Sequence, residues 1–105
     1  MDYATDYYTG ERLCYVEDGE VLNYGGGMMV ATFDDHYIYD RNNKVIGRLG
    51  VNDEVWDEDD NAVARIYRDE VRGEYDYDEY RIEVPSSCTD TEKAALFWGA
   101  MLIKR

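Results

Sequence analysis

Basic charge is scarce in this chain: 11 Lys and Arg stand against 24 Asp and Glu, for a net charge of −13. A surface of that sign repels phosphate, so nucleic acid is not an expected partner, and neither is an anionic membrane surface. A basic protein, a cation or an uncharged ligand stays compatible with it. Histidine occurs once, at His36, and the two cysteines, Cys14 and Cys88, are too few for a disulfide framework. No base stands at a telling spacing from a nucleophile, and no zinc spacing, phosphate loop or dinucleotide fingerprint occurs. No catalytic residue, metal ligand or cofactor is therefore assigned, and a non-enzymatic protein is expected. No stretch approaches the roughly 20 apolar residues of a membrane span; the longest, Ala94 to Ile103, is broken by Gly99. The segment Met1-Asp2-Tyr3-Ala4-Thr5-Asp6 lacks a basic region followed by an apolar run. It therefore does not read as a signal peptide, and the expected location is cytoplasmic.

What the chain does have is a period. A strand-closing aliphatic or aromatic residue recurs as Val16, Phe33, Leu49, Ile66 and Ile82, at steps of 17, 16, 17 and 16 residues. Two positions before each stands Cys14, Ala31, Gly47, Ala64 and then Tyr80. Three positions before stands Leu13, Val30, Ile46, Val63 and then Glu79. A fixed period means one supersecondary unit copied along the chain. The third and fourth copies, Ile38–Leu49 and Val55–Ile66, align without a gap. Each reads as strand, polar turn, strand, with Asn42-Asn43 and Asp59-Asp60 as residues that tolerate left-handed backbone. Thr9-Gly10 and Gly25-Gly26 fill the turn in the first two copies, Tyr75-Asp76 in the fifth, and the second carries one extra residue within Gly25-Gly26-Gly27.

Alternation places Val45, Gly47 and Leu49 on one face, with Ala62, Ala64, Ile66 and Met29, Ala31, Phe33 as counterparts. Ile46, Arg48, Val63 and Arg65 fall on the other. A small residue between two larger ones predicts strands converging on a crowded axis, where Gly or Ala permits close approach. No single hairpin of this length folds alone, so several must share a core. With two-residue turns, Glu54 falls opposite Arg65, Glu70 opposite Arg81 and Tyr37 opposite Arg48. The recurring arginines then read as members of charge and cation–π pairs rather than as an anion-binding ring.

After Pro85 the composition changes. Thr89-Asp90-Thr91-Glu92 has capping-box spacing, and Lys104 and Arg105 stand where cations favour a helix C-terminus. A helix is expected over about 90–103. Because apolar residues surround it, it must plug one end of the hairpin array or offer an apolar face to a partner. A helical turn followed by a strand over Leu96–Ile103 is the alternative.

Ile38-Tyr39-Asp40 with Ile46-Gly47-Arg48-Leu49, and Val55-Trp56-Asp57 with Val63-Ala64-Arg65-Ile66, resemble the repeat of the β-flower proteins. The similarity extends over about residues 5–83 and to the apolar tail. It implies short hairpins about a pseudo-rotational axis and no known activity. The stretch Val55 to Ile66 is also similar to the core strand pair of a PRC-barrel, which does not require the period. Tyr39-Asp40 is similar to the YD repeats of large secreted toxins, but those are longer.

Asp57-x-Asp59-x-Asn61 has the alternate oxygen ligands that open a calcium loop but lacks its central Gly and distal Glu. Asp40, Asn42 and Lys44 occupy the same places in the third copy, which favours a turn over a metal. Eleven tyrosines and two tryptophans are the surplus that serves binding, or else fills a core between short strands. Tyr39 and Trp56 occupy equivalent places and are the candidate binding residues.

These observations give one all-β domain, residues 1–105: about five tandem hairpin repeats of 16–17 residues around a pseudo-symmetry axis, plus one C-terminal α-helix. The expected function is a structural or protein-interaction module acting through a partner protein or self-association. The alternative is a carbohydrate- or cell-wall-binding module that uses Tyr39 and Trp56.

Overall fold

The structure, a computed structural model, describes residues 3–104; Met1, Asp2 and Arg105 lie outside the described residues. The strands come in pairs: β1 (Ala4–Asp6) with β2 (Arg12–Glu17), β3 (Glu20–Asn23) with β4 (Met29–Phe33), β5 (Ile38–Tyr39) with β6 (Val45–Leu49), β7 (Glu54–Asp57) with β8 (Ala62–Ile66), and β9 (Glu70–Gly73) with β10 (Arg81–Glu83). One helix follows, α1 (Asp90–Lys104). Among the described residues these ten strands pair antiparallel with their sequence neighbours, and β10 returns to β1 to close a barrel. The fifth hairpin has both of its strands, and the tail is helical through Lys104 rather than ending in a strand.

The repeat is built on three devices. The first is a buried residue at the first or second position of each leading strand, Ala4, Val21, Ile38, Val55 and Val71, all 0–1% exposed. These stand opposite Cys14, Ala31, Gly47, Ala64 and Ile82.

The second device is a β-bulge in the returning strand. The register slips by one residue beside Ala4, Val21, Ile38 and Val55, leaving Leu13, Val30, Ile46 and Val63 as the extra residue. Strict alternation puts these four on the outer face, yet Leu13, Val30 and Val63 are buried and Ile46 is half-buried. A bulge breaks the period of two and re-aims a side chain, so two consecutive residues can face the core. The fifth hairpin has no bulge: Arg81, Ile82 and Glu83 pair in unbroken register with Arg72, Val71 and Glu70. That is the physical counterpart of Glu79-Tyr80 standing where the other copies have an aliphatic and a small residue.

The third device closes the hairpin tip. Asp6, Asn23, Asp40 and Asp57 recur every 17 residues, and each turns its side-chain oxygen onto backbone amides of its own tip. Asp57 Oδ1 accepts from the amides of Asp59 and Asn61, both at 2.9 Å. A residue with positive φ ends each tip: Gly10, Gly27, Asn43 and Asp60. The tips are therefore three- or four-residue loops ending in a left-handed residue, not two-residue turns. The first copy carries the same additional tip residue as the second. Glu74 replaces the Asp/Asn in the fifth copy and makes no capping bond, and a 3-10 turn, Tyr75–Tyr77, takes the place of the tight tip.

Register decides the arginine pairs. Glu54 does stand opposite Arg65. Glu70 stands opposite Glu83, and Arg81 reaches it diagonally with bonds of 3.1 Å to both carboxylate oxygens. Arg48 stands opposite Trp56 and ion-pairs with Asp60 at 2.9 Å; Tyr37 lies just outside β5. Long diagonal reach on a twisted sheet makes such pairs without direct opposition.

The axis is crowded by α1, not by strand backbones meeting one another. Lys93 through Met101 are all buried, which explains why apolar residues surround this helix. The capping box forms: the Thr89 amide donates to Glu92 Oε1 and the Glu92 amide to Thr89 Oγ1. Leu96, Phe97, Trp98 and Met101 supply the large side chains, each contributing about 1.5–3 kcal/mol by burial. Small residues on both sides let the helix in. A Cβ on Gly47 would lie 2.2 Å from Trp98 Nε1, and one on Gly99 would lie 2.5 Å from Val21 Cγ1. At its first turn Lys93 Nζ donates to the carbonyl of Arg68 at 2.8 Å, and at its last turn Lys104 meets the buried Asp6 carboxylate.

Candidate interaction face

A closed antiparallel meander puts alternate turns at opposite ends. The five hairpin tips, near residues 7–11, 24–28, 41–44, 58–61 and 74–80, therefore ring one end of the barrel. The linkers between hairpins ring the other. The contact of Lys104 with Asp6 fixes the direction of α1: its C-terminus emerges among the tips. Leu102 lines a cleft of about 220 Å³ beside Val30 and Arg41, and Ile103 one of about 270 Å³ beside Arg12, Leu13 and Tyr24. The tip end is thus a ring of loops around the half-buried end of an apolar helix.

Exposed large apolar side chains gather there. Of eight on the described surface, Tyr7, Tyr8, Tyr24, Met28 and Tyr75 belong to tips, while Tyr37, Val51 and Tyr67 belong to linkers. In the first four tips the residues follow from the turn chemistry: an Asp or Asn locks each loop through backbone amides, so the intervening side chains are not needed for closure and project outward. Residue types alone did not mark them. For Tyr7, Tyr24 and Tyr75, a place directly after Asp6, Asn23 and Glu74 is the signal that finds them; Tyr8 and Met28 carry none.

The two candidates, Tyr39 and Trp56, lie on adjacent hairpins along the barrel wall, each held in its own set of contacts. Tyr39 donates its hydroxyl to Asp34 Oδ2 at 2.8 Å. Bonds from the amides of Tyr37 and His36 and from that hydroxyl hold the Asp34 carboxyl below its usual pKa, and the carboxylate in turn raises the Tyr39 phenol. Trp56 carries the Arg48 guanidinium over its ring at 4.6 Å, donates Nε1 to Glu54 and leaves room for no more than a glycine at Gly50. Similar stacks recur on the wall and at the tips. Arg12 lies over Tyr3 and Tyr24, Arg72 over Tyr67, and Arg81 over Tyr7. Arg65 sits between Glu54 and Glu74, at 3.6 and 3.7 Å.

The groups with catalytic potential are not brought together. Cys14 is fully buried and its Sγ faces the Leu96 carbonyl at 3.7 Å, with burial pushing the thiol pKa up to about 12. His36 is exposed on the linker between β4 and β5. Among the described residues no group of three or more His, Cys, Asp or Glu could hold a metal ion, and no helix is long and apolar enough to cross a membrane. No family model, curated protein or solved structure matches the chain.

Proposed function

We propose that the chain is a non-enzymatic interaction module of the β-flower type, working in the cytoplasm, whose contact face is the tip end of the barrel. The observation that carries this reading is the gathering of Tyr7, Tyr8, Tyr24, Met28 and Tyr75 around the emerging end of α1. Tyrosine and methionine are enriched in protein interfaces, and patches of exposed apolar surface mark contact sites. Five hairpins about a filled axis support the β-flower resemblance. The wall aromatics support a carbohydrate role less well, because Trp56 and Tyr39 are half-buried, whereas the five tip residues are exposed.

Site-specific photocrosslinking in cells tests the reading. A crosslinker at Tyr8 or Met28 is expected to yield a discrete adduct with a partner or a second copy, and one at Glu83 on the wall to yield none. Sedimentation of the purified chain separates the two cases. Equal crosslinking from tip and wall positions would sink the assignment of the face.

A further inference from the structure

Between the fourth and fifth tips lies a cleft of about 490 Å³ lined by Asp57, Asp60, Val63, Tyr75, Asp76 and Tyr77, among others. Its volume falls within the usual range for a ligand site. It sits where the repeat departs from its pattern, because the 3-10 turn Tyr75–Tyr77 replaces the tight tip of the other copies. Tyr77 forms a fixed wall, its ring edge-on to Trp98 at 6.2 Å. Tyr75 is 77% exposed with φ of 57°.

The chain repeatedly builds one combination: an aromatic ring, an arginine stacked on it, and a carboxylate on that arginine. Trp56, Arg48 and Asp60 make one such set; Tyr7, Arg81 and Glu70 a second; Tyr67, Arg72 and Glu70 a third. The cleft has the rings and the carboxylates but no arginine of its own. No basic side chain lines it. Asp60 gives one oxygen to Arg48, and Asp57 gives Oδ1 to two tip amides. Tyr75 and Asp76 make no side-chain hydrogen bond or ion pair among the described residues. The cations on the neighbouring strands are already engaged, Arg48 by one oxygen of Asp60 and the Trp56 ring and Arg65 by Glu54 and Glu74, while Glu58, Asp59, Asp78 and Glu79 add negative charge in the two tips.

We propose that this cleft takes the guanidinium or ammonium of an arginine or lysine side chain presented by a basic segment of a partner protein. This rests on the reading of the tip end as the contact face. A planar guanidinium stacks on tyrosine while donating to carboxylates beside it, and a chain of net charge −13 attracts such a segment from a distance.

The test is NMR titration with a short acetylated, amidated peptide of alternating Gly and Arg, against the same peptide with citrulline for Arg. The Arg peptide is expected to shift amides of residues 57–63 and 75–78, and the citrulline peptide to leave them in place. Tyr75→Gly, which suits the positive φ, and Asp76→Asn should each weaken binding about three- to tenfold. Glu58→Gln removes the same charge from the adjacent tip outside the cleft and should change binding less than twofold. Equal losses from Glu58→Gln and Asp76→Asn would reduce the effect to diffuse attraction and overturn the site. Free argininamide binding as tightly as the peptide would overturn the partner-segment assignment. Tip crosslinks without a preference for arginine would leave the contact face standing and remove the cleft; cleft binding without tip crosslinks would do the reverse.

Discussion

Gly47 and Trp98 share one space at the barrel axis: the indole Nε1 occupies the place where a side chain at position 47 would begin. A Cβ there would lie 2.2 Å from Nε1 and 2.7 Å from the carbonyl oxygen of Trp56. The small-residue beat along the sequence is thus the impression of the helix on the strands that surround it. Leu96 and Gly99 show the same fit, one with its carbonyl against Cys14 and the other with its bare Cα against Val21.

Gly47→Ala should therefore destabilise the fold, because one of the two clashes is with backbone that cannot rotate away. The expected loss is about 1–3 kcal/mol, the usual range for overpacking a core. Urea denaturation measures it. Pairing the substitution with Trp98→Leu should recover part of the loss by emptying the contested space. An unchanged midpoint for Gly47→Ala would mean that the helix does not lie against β6.

The tip lock gives a second prediction. Asp57→Ala removes the acceptor of two amide bonds and is expected to cost about 1–2 kcal/mol, between the values for ordinary and charge-assisted hydrogen bonds, since the tip is exposed. Asp57→Asn should cost less than half as much, because Asn23 does the same work in the second hairpin. Thermal melts of the two variants side by side decide this. If Asn and Ala are equally damaging, the carboxylate has a role beyond closing the tip.

Acid should unfold the barrel partly through two carboxyls. Burial pushes both Asp6 and Glu70 up, yet the bonds outweigh it: Lys104 and the Thr9 amide hold Asp6 below its ordinary value, and Arg72 and Arg81 do the same for Glu70. A carboxyl depressed in the folded state contributes stability that is complete above its unfolded pKa, about 3.9 for Asp and 4.3 for Glu, and is lost as pH falls through the depressed value. Melting temperature should accordingly hold from neutral pH down to about 5 and fall below about 4. Asp6→Asn should be less stable at neutral pH and show a shallower acid limb. Parallel acid limbs for the variant and the parent would show that Asp6 does not contribute.

Much of this architecture could be read from residue order, and the gaps have physical causes. A hairpin announces itself locally through its turn residues and two apolar strands, so Ile38–Leu49 and Val55–Ile66 were recognisable as copies. A helix apolar on every side announces burial, and Ala94–Met101 is buried. What stayed hidden depended on register. One bulge in each of the first four hairpins turns residues such as Val63 and Leu13 inward against the alternation, and nothing in either residue's type marks the slip. Arg81 reaches Glu70 diagonally because the longer fifth tip, with its 3-10 turn, moves the register so that Glu70 stands opposite Glu83. The tip face was hidden for a different reason: it belongs to no single repeat. Tyr8, Met28 and Tyr75 are unremarkable loop residues until barrel closure gathers their tips at one end. The departure at Glu79-Tyr80, by contrast, is visible in the sequence, and the 3-10 turn of that same hairpin forms one side of the cleft.

Cys14 offers a direct probe of how tightly the helix is seated. Its thiol is fully buried on the Leu96 carbonyl, and burial pushes its pKa up to about 12, so the reactive thiolate is scarce while the barrel stays closed. Labelling by a thiol reagent at pH 8 should then proceed only through opening of the barrel, far more slowly than at the half-buried Cys88, which serves as the internal comparison. Lys104→Met removes the cation that holds the last turn of α1 to Asp6 and leaves the carboxylate buried beneath it. Breaking that pair should lower the cost of opening by about 1.4 kcal/mol, a tenfold rise in labelling at Cys14 with little change at Cys88. Mass spectrometry of the two tryptic peptides over time reads both sites at once. Equal acceleration at both cysteines would point to global unfolding; acceleration confined to Cys14 identifies the helix as the element that opens.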